Sequence, residues 1–387
     1  MEILFITHKY PPYIGGMEKQ SFELIRGMSK NHKVHYLAYT GKLSKVAWFR
    51  NLKREVKDIL KKHTSIDIIH LNDGLMAAAC IWLKKHTDIP IIATYHGLDI
   101  TFPSKIFQNR IIKKLHRFDG GICVSNATSD ACIERGFDTK KIFTVLNGVD
   151  HDLANIPIDP NFETKISQET GIDFANKKIV MTMGRAVQRK GFSWFLKNIV
   201  PHFDKDMLFL MVGPINKKTP LSHTLINGLP MGINTKIQLL LGIPTDTKAI
   251  IDALDNPNIK DNIYHAGKVS FQHLMQYLAL ADVFVMPNIK VDGDAEGFGL
   301  VALEASLRGA PVIASGIEGI TDAVIDGKNG ILLPTGDVSA WVNSIKSLLN
   351  DNDRLKKLSK QTKAYTLQHY SWEKMVEGYI EVFKNYI

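Results

Sequence analysis

Short apolar runs alternate along this chain with longer stretches in which apolar residues recur every third or fourth position. In the first half, runs at 3–8, 34–38, 66–71, 89–95, 120–124 and 142–146 predict strands. The stretches between them, such as 17–29 and 53–62, carry helical spacing. The second half repeats the scheme, with strands predicted at 179–184, 207–212, 263–266, 283–287, 311–314 and 330–333. Strand and helix in alternation predict parallel sheets covered on both faces. Between the halves, 150–176 has poor periodicity and carries Pro157 and Pro160, so it reads as a linker. The last segment, 372–386, is amphipathic, with Met375, Tyr379, Val382 and Phe383 on one helical face. The expected fold class is α/β, as two doubly wound domains with a cleft between them. Ligands in such sheets bind outside the carboxyl ends of the strands, so function is expected in the loops that follow strands.

Composition narrows the class. The chain has 387 residues, 45% hydrophobic and 22% charged, as in an ordinary globular protein. No apolar run approaches the 18 residues of a membrane-spanning helix. The opening residues Met1-Glu-Ile-Leu-Phe-Ile-Thr7 read as a first buried strand and not as a leader. Cys80, Cys123 and Cys132 have no metal-like spacing and form no disulfide framework. A cytoplasmic protein is expected, at most peripheral on the inner face of the cell membrane. The charge is uneven: residues 1–150 hold 23 Lys and Arg against 14 Asp and Glu, whereas the remainder holds 25 of each. The first half is therefore the one suited to an anionic partner.

Three segments carry residues suited to chemistry. The loop after the first strand reads Tyr10-Pro-Pro-Tyr-Ile-Gly-Gly-Met-Glu18 and leads into a helix. Gly15-Gly16 permits close backbone approach, and the helix offers its N-terminal N–H groups to an anion. Read alone, the segment is equally a plain strand–helix turn, and the G-x-G-x-x-G dinucleotide pattern is absent. The second segment is Asp292-Gly-Asp-Ala-Glu-Gly-Phe-Gly-Leu-Val-Ala-Leu-Glu304. Its Gly-Phe-Gly turn presents N–H groups at a helix start, which suits a diphosphate. Glu304, about one turn into that helix, can accept hydrogen bonds from the adjacent hydroxyls of a ribose. The third segment, Gly184-Arg-Ala-Val-Gln-Arg-Lys-Gly191, places Arg185 and Lys190 where they can meet phosphate oxygens. Read alone it is also a basic surface loop.

Together these segments resemble the retaining glycosyltransferases of family 4, the glycosyl transferases group 1, which have the GT-B fold. The resemblance rests on Glu296-x7-Glu304, Gly184-Arg-x4-Lys-Gly191 and Pro11-Pro-x2-Gly-Gly16. Val124-Ser-Asn126, Asn147-Gly-Val-Asp150, Gly309-Ala-Pro-Val-Ile313 and Asp322-Ala-Val-Ile-Asp-Gly-Lys-Asn-Gly330 add to it. It covers nearly the whole chain in order. It implies two Rossmann-like domains facing each other across a cleft. One is an acceptor-side domain over 1–155, rejoined by a C-terminal helix over 370–387, and the other is a nucleotide-sugar domain over 172–369. It implies that Arg185 and Lys190 hold the donor diphosphate, that Glu304 binds the ribose and that Glu296 contacts the hydroxyls of the transferred sugar. The backbone of Gly297, Phe298, Gly299 and Leu300 would cap the phosphates. Gly16 would approach the donor phosphate and the acceptor, and His96, in Tyr95-His-Gly-Leu-Asp99, would touch the donor sugar near the reacting carbon. Anomeric retention, by front-side attack assisted by the departing phosphate, is part of the same implication.

No cofactor is expected, and no metal. Asp292-x-Asp294 looks like the metal-binding pair of the GT-A fold, but it sits directly before the Glu-x7-Glu stretch in a chain of different organisation. The segment 215–262 is longer than the family pattern and reads as an insertion on the nucleotide side. Residues 41–62 combine eight Lys and Arg with an apolar set of Trp48, Phe49, Leu52, Val56, Ile59 and Leu60. Such a segment suits an anionic membrane surface, and the basic stretch 110–117 adds to it. The expected reaction moves a sugar from a UDP- or GDP-sugar donor to a lipid-linked or cell-envelope glycan, as in polysaccharide biosynthesis. The alternatives are a soluble small-molecule acceptor, or a non-catalytic nucleotide- or carbohydrate-binding protein on the same scaffold. Nucleic acid is not an expected partner, because the basic residues are not interleaved with an aromatic stacking platform.

Overall fold

The computed structural model describes residues 1–215 and 246–387. The chain divides into two compact units, Met1–Val149 with Tyr370–Ile387, and Asp150–His369. Each unit is built on a six-stranded parallel sheet with flanking helices, which is the arrangement of a Rossmann-like domain.

In the first unit the strands are β1 (Glu2–Thr7), β2 (Lys33–Ala38), β3 (Ile68–Leu71), β4 (Ile91–Tyr95), β5 (Gly120–Cys123) and β6 (Ile142–Thr144), in the order β2-β1-β3-β4-β5-β6. All six lie where the apolar runs place them. β1 is buried along its whole length, which is why it reads as a continuous apolar run and not as an alternating one. Leu4 and Ile6 face a core shared with Trp48, Leu52 and Val56 of the helix Lys45–Lys62. Phe5 faces the other way, with its ring 6.5 Å from that of Phe383 on the final helix, Trp372–Lys384. The apolar side of Lys45–Lys62 is thus spent inside the unit. Trp48, Leu52 and Val56 are buried and Phe49, Ile59 and Leu60 pack against the same core. The expectation that the apolar set of 41–62 is turned to a membrane surface is corrected accordingly. What this helix turns outward is charge, including Arg50, Lys53, Arg54, Lys61 and Lys62.

The final helix belongs to the first unit and is fixed there by a buried polar contact. The Tyr379 hydroxyl accepts from Gln20 Nε2 at 3.0 Å and lies 2.9 Å from Thr94 Oγ1. Gln20 is on the helix Gly16–Met28 and Thr94 is on β4, so one phenol joins three elements.

The second unit has β7 (Lys178–Met183), β8 (Met207–Val212), β9 (Ile263–Gly267), β10 (Val283–Met286), β11 (Val312–Ser315) and β12 (Ile331–Leu333), in the order β12-β11-β10-β7-β8-β9. Residues 150–176 are not a linker. They carry the helix Phe162–Thr170, with Phe162 and Ile166 buried and the Phe162 ring 5.1 Å from that of Tyr277. The buried Arg308 donates to the carbonyls of Leu153 and Ile156 at 2.9 and 2.7 Å. A guanidinium satisfies backbone groups there that a linker would leave to water. Of the segment read as an insertion, 216–245 lie outside the described residues, and the remainder holds the helix Thr247–Leu254. Among the described residues no helix is long and apolar enough to cross a membrane.

Replacing Tyr379 by Phe leaves the Gln20 amide and the Thr94 hydroxyl buried without this partner. Urea unfolding of Tyr379→Phe is expected to show a loss of about 1–3 kcal/mol. An unchanged midpoint would mean that the phenol does not hold the helix.

Candidate functional site

In the second unit the loops after β7 and β10 are locked together. Gly191 has φ 66°, and a Cβ there would sit 1.9 Å from the Pro287 carbonyl oxygen, so only glycine allows the approach. Ile289 N donates to the Arg189 carbonyl at 3.0 Å. This contact brings Arg189 and Lys190, at the end of a single 3₁₀ turn, against the acidic loop 292–296.

The charges there form one cluster. Arg189 Nη1 is 3.0 Å from Asp294 Oδ1, and Lys190 Nζ is 2.8 Å from Glu296 Oε2. Asn288 Nδ2 donates to the same Glu296 oxygen at 3.2 Å. Arg189 Nε lies 3.4 Å from Glu296 Oε2, close enough for attraction but out of line for a hydrogen bond. Burial alone would raise the Glu296 carboxyl, but the Lys190 ammonium and the Arg189 guanidinium outweigh it and hold the carboxyl down at about 2. Glu296 is therefore a fixed anion at any physiological pH. Burial likewise opposes the charge on Arg189, and its two carboxylate neighbours more than restore it. Asp294 is 1% exposed and committed to Arg189, so it serves the loop's structure and has little capacity left for a cation.

The following turn is shaped for a helix start. Phe298 is buried, and Gly299 takes φ 96° as the N-cap of the helix Leu300–Leu307. Its first N–H groups are among those a helix leaves without partners in its own ladder. Gly297 precedes the turn, and Glu304 lies half-buried one turn into the helix. Arg185 is exposed after β7; its carbonyl accepts from Val187 N at 2.8 Å, and its guanidinium makes no hydrogen bond or ion pair with the described residues, though its charge acts on Asp294. Of the residues singled out from sequence, Lys190 and Glu296 are thus brought into contact, and Arg185 lies in the same loop.

Two residues that sequence reasoning passed over complete this arrangement. One is Arg189. The other is Glu318, whose Oε2 accepts from the Glu296 backbone N–H at 2.6 Å, while the Glu296 carbonyl accepts from Gly319 N at 3.1 Å. Glu318 is the one described non-glycine residue at positive φ, 53°. Burial pushes its carboxyl up to about 7, the Glu296 N–H opposes that, and the negative charge on Glu296 reinforces it. A buried acid such as Asp294 signals the need for a nearby cation; nothing in the local sequence marks Glu318.

In the first unit, the loops after β1, β3 and β4 interlock in their own way. His96 Nε2 lies 3.0 Å from the Asn72 carbonyl oxygen, and its backbone N–H donates to Asp99 Oδ1 at 2.8 Å. Asp99 Oδ2 accepts from Gly74 N at 2.8 Å, and Asp73 caps the helix Gly74–Ala79 through Met76 N at 2.9 Å. His8 Nδ1 approaches Asp73 Oδ2 to 2.9 Å, an ion-pair distance without hydrogen-bond alignment. Asn72 Nδ2 reaches Gln20 Oε1 at 2.9 Å, on the helix that Gly16 begins. The His96 ring is thus held by fixed loops at the carboxyl end of the sheet.

Two outcomes follow from the charge cluster. Arg189→Leu leaves the buried Asp294 carboxylate without its cation, while Glu296 keeps Lys190, and is expected to cost about 3 kcal/mol in urea unfolding; a change within error would mean that the cluster is not a structural lock. For Glu318 the sign follows from linkage. Its folded value, about 7, lies above the ordinary 4.5, so the folded chain keeps a proton that the unfolded chain releases. That stability is complete at low pH and is lost as pH rises through 7. The advantage of wild type over Glu318→Gln in urea midpoint should therefore shrink from pH 5 to pH 8. An advantage that grows over that range would refute the assignment.

The comparisons with known proteins agree with this geometry. Residues 163–365 match the model of glycosyl transferases group 1, and residues 14–153 match that of glycosyltransferase family 4. A D-inositol 3-phosphate glycosyltransferase of Nocardia farcinica is 33% identical over 82% of this chain and 66% of its own. An uncharacterized glycosyltransferase of Methanocaldococcus jannaschii is 24% identical over 97% of this chain and 96% of its own. Among solved structures, Anabaena HepE in complex with UDP and glucose superposes with a TM-score of 0.72 at 18% identity over the full length of both chains, a likeness of fold. With the family models covering both units and the site loops in place, the chain belongs to the glycosyl transferases group 1, enzymes of the GT-B fold that take sugars from nucleotide donors.

Proposed function

We propose that this enzyme is a retaining, metal-independent hexosyltransferase that moves a sugar from a UDP- or GDP-sugar to a lipid-linked or cell-envelope glycan. The observation that carries the donor half is Glu296, held anionic by Lys190 and Arg189 beside the helix start at Gly299. A fixed carboxylate suits the hydroxyls of a sugar. The Lys190 ammonium and the exposed Arg185 suit the diphosphate, whose negative charge grows as the glycosidic bond breaks. Stabilising that charge selectively in the transition state lowers the barrier. The N–H groups from Phe298 to Leu300 add donors in the same direction, and Glu304 would take the ribose hydroxyls.

Two cations and a helix terminus supply what a divalent ion would otherwise supply to a leaving diphosphate, which supports the metal-independent reading. For the first unit we propose the roles the family resemblance implies, with Gly16 near the donor phosphate and His96 near the reacting carbon. Retention by front-side attack, the departing phosphate taking the acceptor proton, belongs to the same reading.

For the acceptor, the support is electrostatic. The outward face of Lys45–Lys62 and the exposed Arg110, Lys113, Lys114 and Arg117 are basic, and a field of that sign attracts an anionic leaflet without insertion. That fits a cytoplasmic enzyme peripheral on the inner face of the membrane. A soluble acceptor is favoured by a different observation, the similarity to an enzyme named for D-inositol 3-phosphate.

The test is donor binding by calorimetry and slow donor hydrolysis across UDP-, GDP- and ADP-sugars in the presence of a strong chelator, beside Glu304→Ala. One preferred donor, bound with chelator present and lost in the variant, is the expected result. Loss of turnover on chelation would end the metal-independent reading. Absence of binding by every nucleotide sugar would end the donor assignment. Flotation with anionic liposomes at low salt separates the acceptor readings: a wholly unbound protein favours the soluble acceptor.

A further inference from the structure

The opposite end of the first unit's sheet holds a group that the transfer reaction does not use. Glu2 opens β1, His35 lies on β2, and His63 is the C-cap of the helix Lys45–Lys62. In the parallel register Glu2 pairs with Lys33 and Leu4 with His35, so Glu2 and His35 sit at the starting rim of the sheet. The helix Lys45–Lys62 covers this face of the sheet with Trp48, Leu52 and Val56, and His63 follows its last turn. The ligand atoms of Glu2, His35 and His63 all lie within 4.8 Å of one another. We propose that Glu2, His35 and His63 bind a divalent transition metal, of which zinc is the type, at the starting rim of this sheet.

Four observations support the site. His35 Nε2 is 2.8 Å from Glu2 Oε1, and the rings of His35 and His63 stack with centroids 3.8 Å apart. A zinc ion with nitrogen and oxygen ligands at about 2.1 Å in tetrahedral array needs ligand atoms about 3.4 Å apart, so the nearer pair has only to open slightly. Second, the carboxylate is already oriented. Ser65 Oγ donates to Glu2 Oε2 at 2.7 Å and Lys33 Nζ lies 3.1 Å from the same oxygen, which leaves Oε1 to the imidazole side. Partners of this kind, behind a metal ligand, fix its direction. Third, two imidazoles and one carboxylate are the donor set that zinc takes, with a further position left to water. Fourth, His63 follows the last turn of an eighteen-residue helix, where the negative end of the macrodipole favours a cation.

A bound ion would clip the first strand, the second strand and the end of the basic helix together. It would lie at the end of the sheet away from His8 and His96, which follow the carboxyl ends of β1 and β4. The proposal is therefore independent of the donor chemistry, and of the metal independence proposed for transfer.

The experiment is a titration of the chelator-stripped full chain with zinc chloride by calorimetry. Cobalt absorption would report the ligand geometry. One equivalent bound, with a tetrahedral cobalt spectrum and a rise in Tm reversed by chelator, is the expected result. Loss of that equivalent is expected in His63→Ala and in His35→Ala, with donor hydrolysis unchanged. No stoichiometric zinc binding by wild type would overturn the proposal, and so would full binding by the His35→Ala/His63→Ala double variant. The wild-type titration decides the matter even where a variant folds poorly.

Discussion

The second unit's site depends on one desolvated charge cluster. Asp294 and Glu296 are held by Arg189 and Lys190, which stand 105 residues or more earlier in the chain. Two carboxylates taken out of water would be costly unless cations met them at close range. The loop after β7 delivers both cations because Gly191 lets it pass directly under the Pro287 carbonyl. The loop after β10 is in turn pinned from below by Glu318 and Gly319, which hold both backbone groups of Glu296. The Glu296 carboxylate is thus held through its side chain and its main chain by separate loops. An ordered anion of that kind needs little rearrangement when charge moves near it, and this preorganisation is what transition-state stabilisation requires.

In the first unit the final helix is docked by a different kind of contact, a network of neutral polar groups. These groups, among them Gln20, Asn72, Thr94 and Tyr379, are buried at the carboxyl end of the sheet and hydrogen-bonded to one another. His70 is part of this interior, with its Nε2 on Thr94 Oγ1 at 3.0 Å, and burial drives its imidazole down to about 3, so it stays neutral. A neutral network can be buried at less cost than ions, and it fixes the docking of a helix that is last in sequence. The final helix therefore supports the same loops that hold His96.

Much of this was legible in the sequence because fully buried parallel strands announce themselves as short apolar runs. Among the described residues all twelve strands lie at the predicted runs, and Met375, Tyr379, Val382 and Phe383 are buried as the helical spacing requires. The helix Phe162–Thr170 was not legible. Its buried contacts are chiefly Phe162 and Ile166, too few to make a periodic signal, and a distant arginine supplies much of what holds the segment around it. Within the charge cluster, Lys190 and Glu296 were legible as residue types, but their contact was not, since it depends on strand order. Arg189 looked like any surface arginine until its partner Asp294 proved to be buried. Glu318 had no local signal because its role is fixed by a backbone N–H twenty-two residues away and by a φ that sequence does not display.

The basic helix Lys45–Lys62 shows how the same pattern can serve two ends. Its apolar stripe suggested a membrane, and the structure uses that stripe to cover β1 and β2. Burying Trp48, Leu52 and Val56 fixes the helix's position, so its charges lie on a fixed outer face and do not follow a mobile segment. Lys53 and Lys57 even lie over the Trp82 ring, at 5.1 and 5.8 Å, which holds those two ammonium groups near the surface. A surface of fixed positive charge attracts anions at long range and is weakened by salt, whereas an inserted apolar face would not be. Any attraction of this unit to a membrane should accordingly be electrostatic in character. At its far end the same helix delivers His63 to Glu2 and His35, so one element joins the charged outer face to the starting rim of the sheet.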